Sequence, residues 1–433
     1  MDTDVLIIGG GAAGMFCAVA LKKQYPQLGV LLLEEKDRVG KKLLATGNGR
    51  CNLGNERAIA ASYHSVEGDA SVFAAPALER FSPAANWAFW EELGLLLTRD
   101  EAGRQYPYTN QASSVLDVLR LQMAARGVEV RTETPVMGLR LRGLFFAETP
   151  RGIVRARRVV LAQGGLATPR LSAARESFRW LSRLGLEPTV LFPALTQIKT
   201  EPSLPKALKG LRIPCVLTLE TSGLPPRRER GEVQFTDYGL SGIPAFQLSR
   251  WVSQNTSSAR PRSQRLVLDV LPQLREEALR ELLGARSCRF SLPLEQFLTG
   301  LVNKKLGHQV LKRCGLGPLS RDSRSLDEGD IAAVAQELKG LSLSVRGTTG
   351  WEKAQVTAGG LRTADFEPRT LECRFLPGLF AVGEMLDIDG DCGGYNLTWA
   401  WSSARLAAAS VGASLESAGI GNQKRRKEQD AAN

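Results

Sequence analysis

DVLIIGGGAAGMFCAVALKKQYPQLGVLLLE, residues 4–34, is the stretch whose reading decides the fold. An apolar strand from Asp4 to Ile8 meets a glycine turn, a helix follows from Ala12 to about Tyr25, and a second strand runs from Val30 to Glu34. This β-α-β unit with short connections opens a parallel sheet. Gly9-x-Gly11-x-x-Gly14 sits between strand and helix. There glycine permits a tight turn, close approach of backbone to a pyrophosphate, and close packing of helix on strand. The helix start at Ala12 and Ala13 adds free N–H groups that face phosphates. Glu34 lies 20 residues beyond Gly14 at a strand end, placed to accept hydrogen bonds from a ribose, with Glu35 as its substitute. The reading is dinucleotide binding; an exposed strand-end Glu is the bland alternative.

Further glycine-rich segments point to an extended cofactor. Gly40-Lys41-Lys42 and Ala45-Thr46-Gly47-Asn48-Gly49-Arg50-Cys51-Asn52 suit wrapping by backbone amides and cations. Val136, and Ala162 with Gly164 at the end of a buried strand, join the expected cofactor contacts. Gly378–Gly383 reads as a strand finishing in Gly383-Glu384, a placement suited to a ribityl chain. Gly393-Gly394-Tyr395-Asn396-Leu397 then opens the last helix, whose N-terminus favours the negative charge that develops at a flavin's N1/C2 edge on reduction. No second phosphate-binding triplet follows a strand, so a nicotinamide donor is expected only as a transient visitor.

The order of elements divides the chain into a first cofactor-binding part over residues 1–190, a β-rich insert over 191–272, a helical insert over 273–345, a second cofactor-binding part over 346–420, and a disordered tail over 421–433. Prolines at 193, 202, 205, 214, 225, 226 and 244 punctuate the β-rich insert. Three helical stretches follow, Leu274–Leu283, Leu294–Cys314 and Asp327–Leu338.

Composition excludes other chemistry. With His64 and His308 the only histidines among 433 residues, a His-rich zinc site or His-dependent hydrolase lacks material, and no metal is expected. Seven scattered cysteines without a C-x-x-C pair indicate reduced thiols and a cytoplasmic protein. No apolar run reaches membrane-spanning length. The net charge of +11 is dispersed, and its basic runs lack interleaved aromatics, so nucleic acid is a minor reading and no obligate protein partner is evident.

The segments GGGAAG, LLLEE, KKLLATGNGRCN, GEVQFTDYGLSG, VTAGGL and LFAVGEMLDIDGDCGGYNLTWAWSSA together resemble the YhiN/BaiN-like family of bacterial FAD-dependent oxidoreductases, over about residues 3–412. The resemblance implies an α/β two-dinucleotide-binding-domain flavoprotein with a Rossmann-like FAD domain and inserted β-barrel-like and helical subdomains. It also implies non-covalent FAD, and reduction of conjugated C=C bonds in bile-acid-type enones. The sequence departs from the family at Ala167–Ala174, which lacks glycine, and at Thr236-Asp237-Tyr238-Gly239, where Asp replaces a usual His.

Tyr238 and Asp237 on the insert, and Tyr395 and Asp389 beside the flavin edge, are the candidate proton donors to a carbanion formed by hydride transfer. The preferred activity is NAD(P)H-fuelled reduction of an activated C=C bond in a small organic, steroid-like enone held between the cofactor domain and the insert. Alternatives are an amine oxidase using O2, a tRNA-modifying flavoprotein, and a non-catalytic flavin sensor.

Overall fold

In the computed structural model, which describes residues 2–172 and 174–432, with side chains through 417, the apolar runs of the sequence become the central strands of a seven-stranded sheet. β1 (Thr3–Ile8) pairs in parallel with β2 (Val30–Leu33), which pairs in parallel with β3 (Glu129–Arg131). On the other side of β1 lies the long β6 (Gly152–Leu161). Its first half pairs antiparallel with β5 (Leu144–Thr149), itself paired with β4 (Gly138–Arg142). Its second half pairs in parallel with the strand Leu379–Ala381. Val5, Leu6, Ile7, Leu31, Leu32, Val159, Val160 and Phe380 are each at most 1% exposed, as expected of parallel strands covered on both faces.

α1 (Ala12–Gln24) packs against the C-terminal helix, which starts at Tyr395. Phe16 of α1 stacks with Trp90 and Trp401 at ring separations of 4.9 and 4.8 Å. This apolar contact seats both helices in one core. The C-terminal helix is described from Tyr395 to Ala432, over a stretch expected to be a disordered tail.

The chain forms two units, one from residues up to 193 with those from 355 onward, the other from 194–354. The second contains a closed six-stranded antiparallel barrel of Ile198–Thr200, Gly239–Ser241, Arg227–Phe235, Arg212–Thr221, Gln264–Asp269 and Leu341–Thr348. The last strand follows the helices in sequence. It spans residue 345, and the first unit takes in the residues from 355 onward. The alternation of Leu341 and Leu343, both buried, with half-buried Ser342 and exposed Ser344 is the local signature of that strand. The stretch expected as one helix over Leu294–Cys314 is interrupted. A short turn covers Leu294–Gln296, Gly300 adopts φ +84°, and a separate helix runs Lys304–Arg313. The Asn303 side chain starts that helix by accepting the Lys305 N–H. Among the described residues, no helix is long and apolar enough to cross a membrane.

Candidate active site

Strand register places the ends of the parallel strands in one row. Arg131, Leu33, Ile8, Leu161 and Ala381 are successive lateral neighbours. The residues that follow them, Gly9–Gly14, Glu34, Ala162–Gly164 and Gly383–Glu384, therefore emerge along the same carboxyl edge. In open α/β sheets this edge holds the ligand crevice. Four segments dispersed over 376 positions of sequence are thereby brought to one line.

The glycines of the turn have different reasons to be glycine. Gly9 has φ +108°, and a Cβ there would lie 2.5 Å from the Ala162 carbonyl oxygen. A Cβ at Gly14 would lie 2.0 Å from the Gly9 oxygen. Both are required by the protein's own packing. Gly11 is not: its φ is an ordinary −80°, and the nearest atom to a Cβ is 3.9 Å away. A side chain at Gly11 would fill open space at the helix start, which is the cradle a dinucleotide pyrophosphate needs. The residues present fit that group.

Glu34 Oε2 accepts the Gly10 N–H at 2.7 Å and Oε1 accepts the Lys36 N–H at 2.8 Å. Burial pushes its carboxyl up, opposed by those two bonds. The glutamate thus ties the glycine turn to the end of β2. Glu35 instead pairs with Lys36, and Lys41 pairs with Asp37. Val136 is half-buried just beyond Thr134, whose N–H donates to the Glu34 carbonyl. Gln163 went unnoticed in the sequence. Both polar atoms of its amide are buried and have no hydrogen-bond partner in the protein, directly after Ala162. Such a group is costly unless a ligand satisfies it.

Lys42 Nζ lies 2.8 Å from Glu384 Oε2, and Glu384 Oε1 accepts the Thr357 N–H at 2.7 Å. Gly47, Asn48, Gly49 and Cys51 all take left-handed backbone. Burial pushes the Cys51 thiol up to about 12, so it is an inert packing group. Arg50 is exposed and its guanidinium stacks over Tyr106 at 5.0 Å. With its amide nitrogen toward Gly54, Asn52 donates to the Gly54 carbonyl and accepts the Gly394 N–H. Gly394 has φ +101°, and a Cβ there would lie 2.2 Å from Gly54 O, so the two loops touch backbone to backbone.

The C-terminal helix organises these loops with its buried polar atoms. Trp399 Nε1 donates to Gly383 O at 3.0 Å, the Ser403 hydroxyl accepts the Gly383 N–H at 3.0 Å, and Trp401 Nε1 donates to Leu53 O at 2.6 Å. We expect Trp399→Phe to lower stability by about 1 kcal/mol, the worth of one such bond. Chemical denaturation checks this, and an unchanged midpoint would show that the bond does not anchor Gly383. The Asn396 side chain is occupied by Gly390, accepting its N–H and donating to its carbonyl, both at 2.8 Å. The N–H groups of Tyr395, Asn396 and Leu397 stand in the helix's first turn and have no intrahelical acceptor.

Of the sequence-derived proton donors, Asp237 and Tyr238 lie in the barrel unit, and Asp389 and Tyr395 in the unit that carries the glycine turn. Asp237 is exposed on the barrel and paired with Lys209 at 3.0 Å. That ion pair holds its carboxyl below the usual range, so it stays ionised and cannot donate a proton at neutral pH. Tyr238 is half-buried beside it, in a loop fastened by the Thr236 hydroxyl to Gly239. Asp389 is 2% exposed and forms a two-residue ladder with His64. Tyr395 is half-buried, its hydroxyl pushed up by burial and by Asp391. His64, uninformative in sequence, is where the structure adds something. Its Nε2 lies 2.9 Å from Asp391 Oδ1.

The strand-edge crevice and glycine turn define a Rossmann-type dinucleotide-binding oxidoreductase. Residues 3–410 match the family described as HI0933-like protein Rossmann domain, and the chain belongs to this flavoprotein family. It is 35% identical to the 3-dehydro-bile acid delta(4,6)-reductase of Clostridium scindens, over 93% of this chain and 97% of that one. It is 29% identical to the ribosomal RNA dihydrouridine synthase of Escherichia coli, over 93% and 96%. A solved structure of 3-ketosteroid-delta4-(5alpha)-dehydrogenase from Rhodococcus jostii matches at 16% identity and a TM-score of 0.47, over 95% of this chain and 96% of that one.

Proposed function

We propose that this protein is an FAD-dependent reductase, fuelled by NAD(P)H, that adds hydrogen across a C=C bond conjugated to a carbonyl. The observation that carries this reading is full-length relatedness to a reductase of such a bond, on a chain whose crevice fits a dinucleotide. Gly9–Gly14 and the start of α1 would hold the pyrophosphate, and Glu34 a ribose. Gln163, Glu384 and Lys42 would meet the middle of the cofactor, and the first turn at Tyr395–Leu397 its flavin edge. The flavin supplies the hydride chemistry that no side chain has. The protein's part is to bind it, orient it and provide a proton.

A steroid-like enone is the first substrate class, on the relative of higher identity. A second reading is a uracil ring within RNA, whose double bond is likewise conjugated to a carbonyl. It is favoured by the +11 charge, by exposed Arg227, Arg228 and Arg230 on one barrel strand, and by the relatives named ribosomal RNA dihydrouridine synthases. Anaerobic mixing with NADH or NADPH is expected to bleach the flavin. Reoxidation by an enone supports the first reading, and reoxidation only by unmodified ribosomal RNA, weakening steeply with salt, supports the second. Failure of either nicotinamide to bleach the flavin overturns the NAD(P)H-fuelled reductase, and bleaching by an amine instead would indicate an oxidase.

A further inference from the structure

We infer that a cavity beside the helices Ala70–Arg80 and Pro83–Glu92 binds an uncharged, largely apolar small molecule through the side-chain amide of Gln105. The cavity holds about 700 Å³, inside the ~300–1,000 Å³ range of small-molecule sites. It lies in the unit that carries the glycine turn, and its lining residues are other than those of the strand-edge crevice. Holding a ligand there requires nothing of the flavin chemistry.

Strand pairing builds the polar floor. In the three-stranded sheet of Gly54–Asn55, Arg104–Pro107 and Leu97–Arg99, Gln105 stands opposite Gly54 on one side and Arg99 on the other. Directly opposed residues share a face of the sheet. Glycine at 54 leaves room for the glutamine amide, since a Cβ there would lie 2.3 Å from Gln105 Oε1. Gln105 is 5% exposed and lines the cavity, and its amide makes no hydrogen bond to the described residues. Buried polar groups are ordinarily paired. What can satisfy this one is the occupant of the cavity.

The walls are apolar, made by Ile59, Leu78, Pro83 and Trp87 with alanines between them. Trp87 Nε1 is spent on Glu91 Oε1 at 2.8 Å, so the indole offers its ring. Ile59 is 62% exposed, a large apolar side chain left in water at the opening. Among the charged lining residues, Arg99 is paired with Glu56, and Glu79 is exposed with no ion pair among the described residues. One carboxylate is thus uncompensated. It disfavours an anion and, standing in water, attracts a cation only weakly. The buried amide therefore decides the class. It offers a donor and an acceptor and no charge. Its complement is a neutral head that both donates and accepts, a hydroxyl or a carboxamide, on an apolar body.

Calorimetric titration of the purified protein with probes of one shape tests the site: 2-naphthalenemethanol, 2-naphthamide, 2-naphthoate and 2-methylnaphthalene. The alcohol and the amide are expected to bind about tenfold tighter than the hydrocarbon, the worth of pairing a buried amide that otherwise stays unpaired, with naphthoate the weakest. Gln105→Leu, of similar volume but apolar, should melt no lower than the wild type and bind the hydrocarbon at least as well as the alcohol and the amide. Ile59→Asp changes a side chain that stands mostly in water, so the fold should survive, and a charge at the opening should weaken every probe; this variant carries the test even if leucine at 105 disturbs its strand. Failure of the alcohol and the amide to bind, tightest binding by naphthoate, or a folded Gln105→Leu protein with the wild-type preference overturns the inference. Binding indifferent to Ile59→Asp overturns it as well, because the probes would then sit elsewhere.

Discussion

Gly11→Val is expected to yield a folded protein that purifies without flavin. The backbone at Gly11 has ordinary helical-entry angles and the space beyond it holds no protein atom closer than 3.9 Å to a Cβ, so valine's cost is that of a poorer helix cap, about 1 kcal/mol, and the chain should still fold. The isopropyl group would stand where the pyrophosphate must approach the backbone. Gly14→Val is the contrasting control. Its Cβ would lie 2.0 Å from the Gly9 oxygen, forcing α1 away from β1, and overpacking of this kind costs about 1–3 kcal/mol or more. Flavin content per chain and the circular-dichroism melting curve separate the two outcomes. A yellow Gly11→Val protein with stoichiometric FAD would remove the phosphate-turn assignment.

Asp387→Ala should lower stability by about 2 kcal/mol, because a buried carboxylate that accepts hydrogen bonds from several partly exposed donors is lost. Asp387 is fully buried. It accepts the Ser65 hydroxyl at 2.7 Å, the Val66 N–H at 2.9 Å and the Glu67 N–H at 2.9 Å. These bonds hold the loop after His64 against the segment after Glu384. The urea midpoint should fall without a change in slope, and Asp387→Asn, which keeps one acceptor oxygen, should lose less. A cost near zero for Asp387→Ala would mean that the loop is held by other contacts.

Much of the fold was legible because its signals are local. The strand, turn and helix of residues 4–34 lie next to one another in the chain. Their apolar runs and glycine spacing are imposed by the backbone geometry of a parallel sheet and a close turn. The barrel's closing strand, in which Leu341 and Leu343 alternate with serines, begins within the segment expected to be helical because helical stretches precede it. Asp237 looked like a donor because it stood in a motif. Its pairing with Lys209, from another loop, is set by the packing of the barrel and holds its carboxyl further below the usual range.

By itself, the sequence determined the α/β class, the glycine turn between the first strand and helix, Glu34 at the end of β2, and the poverty of histidine. The tertiary structure alone decided that Gln163 has a buried amide without a protein partner, that Lys42 meets Glu384, and that His64 meets Asp391. The last two contacts join residues 342 and 327 positions apart. Residue periodicity reports which face of a local element is buried. It carries no record of which distant loop is brought to that face, because that is set by the packing of whole elements around one core.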